Sequence, residues 1–180
     1  MTTHNALLVL IIGPSGAGKD SVLLKTKELL AGNEHFVFPR RLVTRPFYPG
    51  AEDYIPTTQQ KFAALNAQGK FILSWHTHGL DYGIPASIQD ELKTGRVVII
   101  NVSREVVKKA REIFPGLVKV IKISASKEII RDRLLKRGRE SAAEIEERLN
   151  RDFSVACDLE IDNSGELETA TAKLVAELTS

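Results

Sequence analysis

The run Leu7-Leu-Val-Leu-Ile-Ile12 passes without a polar break into Gly13-Pro-Ser-Gly-Ala-Gly-Lys19, and this junction constrains the fold more than any other stretch. Six apolar residues in succession, with no polar alternation, read as a central strand buried on both faces. Such a strand belongs to a parallel sheet covered by helices on both sides. The glycines permit a tight turn, and Lys19 opens a helix expected to run to Leu30 and to end at Gly32.

The same alternation continues along the chain. Arg96–Asn101 and Leu117–Ser124 read as further strands. Ser103 can cap a helix that runs to about Ile113, before Pro115. Another helix starts near Ser126 and stops at Gly138, and Ser141-Ala-Ala-Glu144 is a capping box that opens the next one. The pattern predicts an α/β fold. The segment from about Phe36 to Leu92 interrupts it. There an Arg/Thr/Pro-rich stretch is followed by Thr57-Thr-Gln-Gln60, which caps a short helix, and by the strand-like, aromatic-containing Lys70–Pro85. This reads as an insertion into a core formed by residues 1–35 and 93–180, and excursions of that kind on a rigid scaffold usually carry function.

The 180 residues suffice for one well-buried core, and 43% hydrophobic with 27% charged residues is ordinary for a soluble domain. No apolar run approaches the roughly 18 residues of a membrane span. The N-terminus lacks a basic start and a small-residue cleavage site, so its apolar run reads as a strand and not a signal peptide. The single cysteine, Cys157, excludes an internal disulfide and a cysteine metal cluster. These features lead us to expect a cytoplasmic protein with no membrane partner. A net charge of +2 argues against nonspecific nucleic-acid binding. Arginines are nevertheless concentrated in Arg40–Arg45 and Arg131–Arg139, which in one small domain with a glycine loop suits a polyphosphate ligand. A homodimer is left open.

The loop follows the Walker A pattern G-x-x-x-x-G-K-[ST] up to its last position. Gly13, Pro14, Ser15, Gly16, Ala17, Gly18, Lys19, Asp20 and Ser21 are therefore expected to hold the phosphates of ATP. Converging N–H groups, a helix N-terminus and the Lys19 ammonium would supply the attraction. Asp20 stands where a hydroxyl is usual. A carboxylate in the first helical turn is favoured by the helix dipole and binds magnesium more strongly than a hydroxyl does. We read Asp20 as an altered Mg2+ contact, with the Ser21 hydroxyl one residue late as the alternative.

Taken with Thr44-Arg-Pro46, Gly50-x-Glu-Asp-Tyr54, Tyr82-Gly83, Arg133–Glu140 and Glu147-Arg-Leu149, the loop resembles the guanylate kinases over nearly the whole chain. The resemblance implies a P-loop NTPase fold: a parallel β-sheet core flanked by helices, a small acceptor-binding insertion at about 36–92, and a helical lid at about 133–148. It implies that Arg45, Tyr54 and Tyr82 hold the acceptor phosphate. It also implies that Arg133, Arg137 and Arg148 join Lys19 in bringing positive charge to the transferring phosphoryl group. The departures fall on the base-reading positions. Ser74 replaces a glutamate, Ile84 or Pro85 replaces a hydroxyl, Asn101 replaces an aspartate, and an arginine is lost where Phe47 stands. Losing such groups should forfeit guanine. The chain is more similar to guanylate-kinase-like enzymes that phosphorylate ribose 1,5-bisphosphate. The likeness lies in Gly13–Ser21 with its Asp20, in Trp75–Pro85, and in Asn101-Val-Ser-Arg104. This implies transfer of the ATP γ-phosphoryl group to ribose 1,5-bisphosphate, giving 5-phospho-α-D-ribose 1-diphosphate and ADP, in phosphonate catabolism. The alternatives are a guanylate kinase acting on GMP and a non-catalytic interaction domain of the same shape. The last is disfavoured because Gly13, Gly18 and Lys19 persist.

Other residues carry weaker expectations. Arg40 and Arg41 are candidates for a second acceptor phosphate. His76 and His78 alternate along a strand and so would share a face; a metal pair, a ligand hydrogen bond from His78 and plain structural use all stay open. Trp75 is expected in the core and Cys157 as a small buried hydrophobe. Arg139 and Glu140 are expected to pair across solvent. Glu52 and Asp53 either bind magnesium or orient Arg45. Asp162-Asn163 resembles the place where the family contacts adenine.

Overall fold

A computed structural model describes residues 6–46, 53–151 and 153–180. Phe47, Gly50 and Glu52 lie outside the described residues. The elements in chain order are β1 (Leu7–Ile12), α1 (Lys19–Leu29), β2 (Phe36–Val37), β3 (Leu42–Val43), β4 (Ile55–Pro56), α2 (Gln59–Ala67), β5 (Phe71–Thr77), β6 (Leu80–Pro85) and α3 (Ile88–Lys93). They continue with β7 (Val97–Asn101), a single 3-10 turn at Arg104–Val106, α4 (Val107–Ile113), β8 (Val118–Ser124), α5 (Lys127–Arg137), α6 (Ala142–Asn150), β9 (Leu159–Asp162) and α7 (Leu167–Thr179).

The strands form two sheets. The five-stranded sheet has the order β2-β7-β1-β8-β9. Both β2 with β7 and β8 with β9 run parallel. Leu8–Ile12 and Val97–Asn101 are buried throughout, as uninterrupted apolar runs in a sheet covered on both faces must be. Each fully buried Leu, Ile or Val adds about 1.5–3 kcal/mol of transfer free energy. The four-stranded sheet, β4-β3-β6-β5, is mixed: β3 runs parallel to β4 and antiparallel to β6. The strand-like Lys70–Pro85 stretch is a hairpin of β5 and β6. Its two-residue turn, His78-Gly79, has φ of 51° and 73°, the paired positive values of a type I′ connection. The expectation that His76 and His78 share a strand face is therefore corrected, because β5 ends at Thr77 and His78 belongs to the turn.

By contacts the chain divides into two compact units. The first comprises residues up to Leu10 and Asn33–Lys119; the second comprises Ile11–Gly32 and Val120–Ser180. In the first unit Trp75 is buried, as expected, and stacks on its cross-strand neighbour Tyr82 with ring centroids 5.2 Å apart. In the second unit α1 packs on α7; Val22 and Thr26 are buried on the former and Ala170, Thr171, Leu174 and Leu178 on the latter. Helices α5 and α6 form a hairpin around Ile130, Leu134, Ile145 and Leu149. Cys157 is half-buried and not a core residue, which corrects the expectation for it. No described helix is long and apolar enough to cross a membrane.

Candidate active site

The glycine loop lies wholly in the second unit. Its sequence forms a loop because Gly18 adopts a left-handed conformation, φ 86° and ψ 24°, and serves as the N-cap of α1. A glycine cap offers no side chain to the first helical N–H groups, and the N-terminus of a helix favours an anion. The Lys19 ammonium donates to the carbonyl oxygens of Gly13 at 2.7 Å and Pro14 at 3.1 Å, which folds it back over the loop. Asp20 and Ser21 are exposed on the first turn of α1. Among the described residues no group of three His, Cys, Asp or Glu side chains could cage a metal. An exposed carboxylate beside a phosphate loop fits magnesium all the same, since that ion is usually held by one or two carboxylates together with substrate phosphates and water.

Three side chains hold the loop from outside. The two NH2 groups of the Arg133 guanidinium donate to the carbonyls of Ala17 (3.1 Å) and Gly16 (3.4 Å) and to that of Asn163 (2.8 Å). The Asn163 amide nitrogen donates to the same Ala17 carbonyl at 2.8 Å. Arg148, on α6, donates through Nη1 to Ser15 Oγ at 3.1 Å and pairs with Glu140 at 3.2 Å. Helix α5 can approach this closely because Gly16 has no side chain: a Cβ there would lie 3.0 Å from Ile130 and 3.3 Å from Leu134. A Cβ on Gly18 would lie 2.4 Å from the Asn163 amide. Arg137, in the last turn of α5, is exposed.

The Asp162-Asn163 pair expected near adenine is therefore divided in two. Asn163 is 2% exposed and braces the loop, while Asp162 accepts from the backbone N–H of Ser164 and its carboxyl sits below the usual range, chiefly through the Ser164 hydroxyl. The loop contact of Asn163 could not be read from sequence, because it joins residues 146 positions apart. Glu140 does not lie in solvent as expected: its side chain is only 10% exposed and its partner is Arg148. Between α5 and α6, Arg131 forms a two-point pair with Glu146 at 2.7 and 3.2 Å. That contact lowers the pKa of Glu146 and raises that of Arg131.

The expected acceptor residues gather in the first unit. Arg45 lies over the Tyr54 ring, 4.6 Å from its centroid, and its Nε donates to the Tyr54 hydroxyl at 3.3 Å. That hydroxyl in turn donates to the Pro46 carbonyl at 2.7 Å. Arg45 is thus oriented by Tyr54, and Asp53 faces Arg40 at 3.8 Å. Arg41 is buried against the Trp75–Tyr82 stack, 5.8 and 5.3 Å from the two ring centroids. His76 Nδ1 meets Asp81 Oδ1 at 2.7 Å, a cross-strand pair that gives it a structural role. His78 sits exposed in the hairpin turn. The positions expected to read a base are otherwise engaged or apolar. Ser74 Oγ donates to Asn66 on α2 at 3.5 Å, Ile84 is fully buried, and Asn101 is buried at the end of β7.

Comparison with known proteins adds three findings. The guanylate kinase family model matches residues 5–179. A protein of Methylobacterium radiotolerans described as ribose 1,5-bisphosphate phosphokinase PhnN is 46% identical over 172 residues, covering 95% of this chain and 96% of its own. One of the same description from Brucella melitensis biotype 2 is 40% identical over 180 residues, covering 98% and 93%. The crystal structure of guanylate kinase from Anaplasma phagocytophilum superposes with a TM-score of 0.74 at 23% identity, over 98% of this chain and 86% of that one, and so speaks for the fold.

Proposed function

From the premise that this chain belongs to the guanylate kinase family, on the strength of a match over residues 5–179, we propose that it phosphorylates ribose 1,5-bisphosphate at the expense of ATP. It is a kinase, and its relatives at 40–46% identity are described as ribose 1,5-bisphosphate phosphokinases. The observation that carries the choice of acceptor is the state of the base-reading positions in the first unit. Ile84 is buried in the core and Ser74 engages Asn66, while the cationic and phenolic groups of Arg45, Tyr54, Arg41 and Tyr82 remain. A pocket without matched donors and acceptors gains nothing from a guanine ring, and any polar group of the ring left unpaired there costs affinity.

In the proposed reaction an oxygen of the 1-phosphate attacks the γ-phosphorus of ATP. A new P–O–P linkage forms, the bond to the β,γ-bridging oxygen breaks, and ADP leaves with the electron pair. The products are 5-phospho-α-D-ribose 1-diphosphate and ADP, a step suited to phosphonate catabolism. The attacking oxygen is already anionic near neutral pH, so the chain need not supply a strong general base. Its contribution is positioning and charge neutralisation. In this reading Lys19 and the loop N–H groups from Gly13 to Ser21 hold the ATP phosphates, and Arg137 and Arg148 bring charge to the transferring group. Arg133 acts there too, through the loop carbonyls it holds. Arg45, Tyr54 and Tyr82 hold one acceptor phosphate, Arg41 the other, and His78 hydrogen-bonds the sugar. Asp20, with Ser21 beside it, would hold Mg2+, which when bound would neutralise phosphate charge.

The product decides the reading. Incubation with ATP, Mg2+ and ribose 1,5-bisphosphate followed by phosphorus NMR should show ADP and a sugar diphosphate forming in equal amounts. ATP loss with no sugar diphosphate would reject it.

A further inference from the structure

We infer that Glu140 positions the Arg148 guanidinium for the transferring phosphoryl group, and so governs turnover through Arg148 without itself touching either reactant. The inference rests on the kinase reading of the second unit. Glu140 lies in the short connection between α5 and α6, after Gly138 has ended α5 in a left-handed conformation and just before Ser141 caps α6. This connection leaves the Glu140 side chain 10% exposed, although it belongs to a surface turn. One carboxylate oxygen, Oε1, meets Arg148 Nη1 at 3.2 Å. The other, Oε2, is buried without a hydrogen-bond partner among the described residues.

A contact made for stability would not take this form. Ion pairs in solvent add little, and a buried carboxylate with half its acceptors unused costs more than an apolar side chain of similar size. What the pair does achieve is geometry. The same Nη1 that meets Glu140 also donates to Ser15 Oγ in the phosphate loop, so one corner of the guanidinium is fixed between a buried anion and the loop. Arg148 remains 27% exposed, which leaves the rest of its planar fork to face a ligand. A fork held at one corner presents its other N–H groups in a set direction, and misplacing a charge-stabilising group by about 1 Å can cost about 10²-fold in rate. The Arg131–Glu146 pair and the Ile130–Leu149 cluster hold α5 to α6, so removing Glu140 should leave the helices in place and release only the arginine.

The test compares wild type with Glu140→Ala, Glu140→Gln, Arg148→Ala and the Glu140→Ala/Arg148→Ala double variant. Steady-state kinetics are measured alongside melting temperature and the side-chain N–H resonances of Arg148. We expect Glu140→Ala to lower kcat by about 10- to 100-fold with KM for both substrates within about twofold. Glu140→Gln, which keeps an acceptor, should recover most of that loss. The double variant should be no worse than Arg148→Ala alone, since Glu140 acts only through that residue. The Arg148 resonances should become those of a mobile side chain in Glu140→Ala. A kcat within twofold of wild type in Glu140→Ala, or losses that add in the double variant, would overturn the inference. Should Glu140→Ala fail to fold, the same cycle run with Glu140→Leu, which keeps the volume and removes both acceptors, decides. If wild type does not use ribose 1,5-bisphosphate at all, the acceptor reading falls on its own. The Arg148 resonances still judge Glu140, and their persistence in Glu140→Ala would refute the positioning role.

Discussion

At the scale of single residues, the phosphate loop is held by side chains from distant parts of the chain. Asn163 is the clearest case. Its buried amide donates to Ala17, and its backbone carbonyl accepts from Arg133. Replacing Asn163 by Ala should destabilise the fold by about 0.5–1.5 kcal/mol, because one buried hydrogen bond is lost while the Ala17 carbonyl keeps its bond from Arg133. It should also raise KM for ATP more than it lowers kcat; urea unfolding and steady-state kinetics measure the two effects. A stable variant with unchanged KM would remove Asn163 from the loop's support. Asp20 makes a different prediction: replacing it by Ser should move the Mg2+ concentration needed for half-maximal rate several-fold upward. A magnesium dependence left untouched would show that Asp20 is not the metal contact. The loop itself was legible in the sequence, since a continuous apolar strand and a glycine-Lys turn are local signals. Asn163 and Glu140 were not, because their roles depend on partners far away in sequence and on burial that a polar residue in a turn does not announce.

At the scale of elements, the second unit's helical hairpin is secured at its entrance and across its seam. Ser141 accepts from the Glu144 N–H at 3.3 Å, and the Glu144 carboxylate accepts from the Ser141 N–H at 2.7 Å, the reciprocal pair expected from sequence. That backbone hydrogen bond holds the Glu144 carboxyl below its ordinary value of 4.5, and the hydrogen bond from Arg131 does the same for Glu146. The sign follows from linkage. A carboxyl whose folded pKa is lowered binds protons more weakly in the native state, so its contribution is complete above the ordinary value. It is lost as pH falls from about 4.5 through the lowered folded values. The melting temperature should therefore hold nearly level from pH 7 to 5 and drop below pH 4.5. Ser141→Ala should lower stability by about 1 kcal/mol at neutral pH and flatten part of that acid slope. An unchanged slope would mean the capping box does not carry it. The hairpin at His78-Gly79 shows where pattern reading ran short. Lys70–Pro85 read as strand-like with His76 and His78 on one face, and a single His-Gly pair was the local signal that the turn falls at His78.

At the scale of the whole molecule, the proposed reading divides the kinase's task between the two compact units. The second carries the phosphate loop and the arginine-bearing helices; the first carries Arg45, Tyr54, Arg41 and Tyr82. The α/β class was legible because strand and helix periods differ. The pairing of Phe36–Val37 with Val97–Val98 was not, since two residues are too few for any period to show. The central claim is that the acceptor side has kept its phosphate-holding groups and lost its guanine-reading ones, with Ile84 buried and Ser74 engaged by Asn66. The most direct measurement is kcat/KM for ribose 1,5-bisphosphate and for GMP, each with ATP and Mg2+ under identical conditions. A site without matched base contacts should favour the sugar by roughly 10³-fold or more. Turnover of GMP equal to or better than that of the sugar would contradict the account and require a different set of base-reading residues in the first unit.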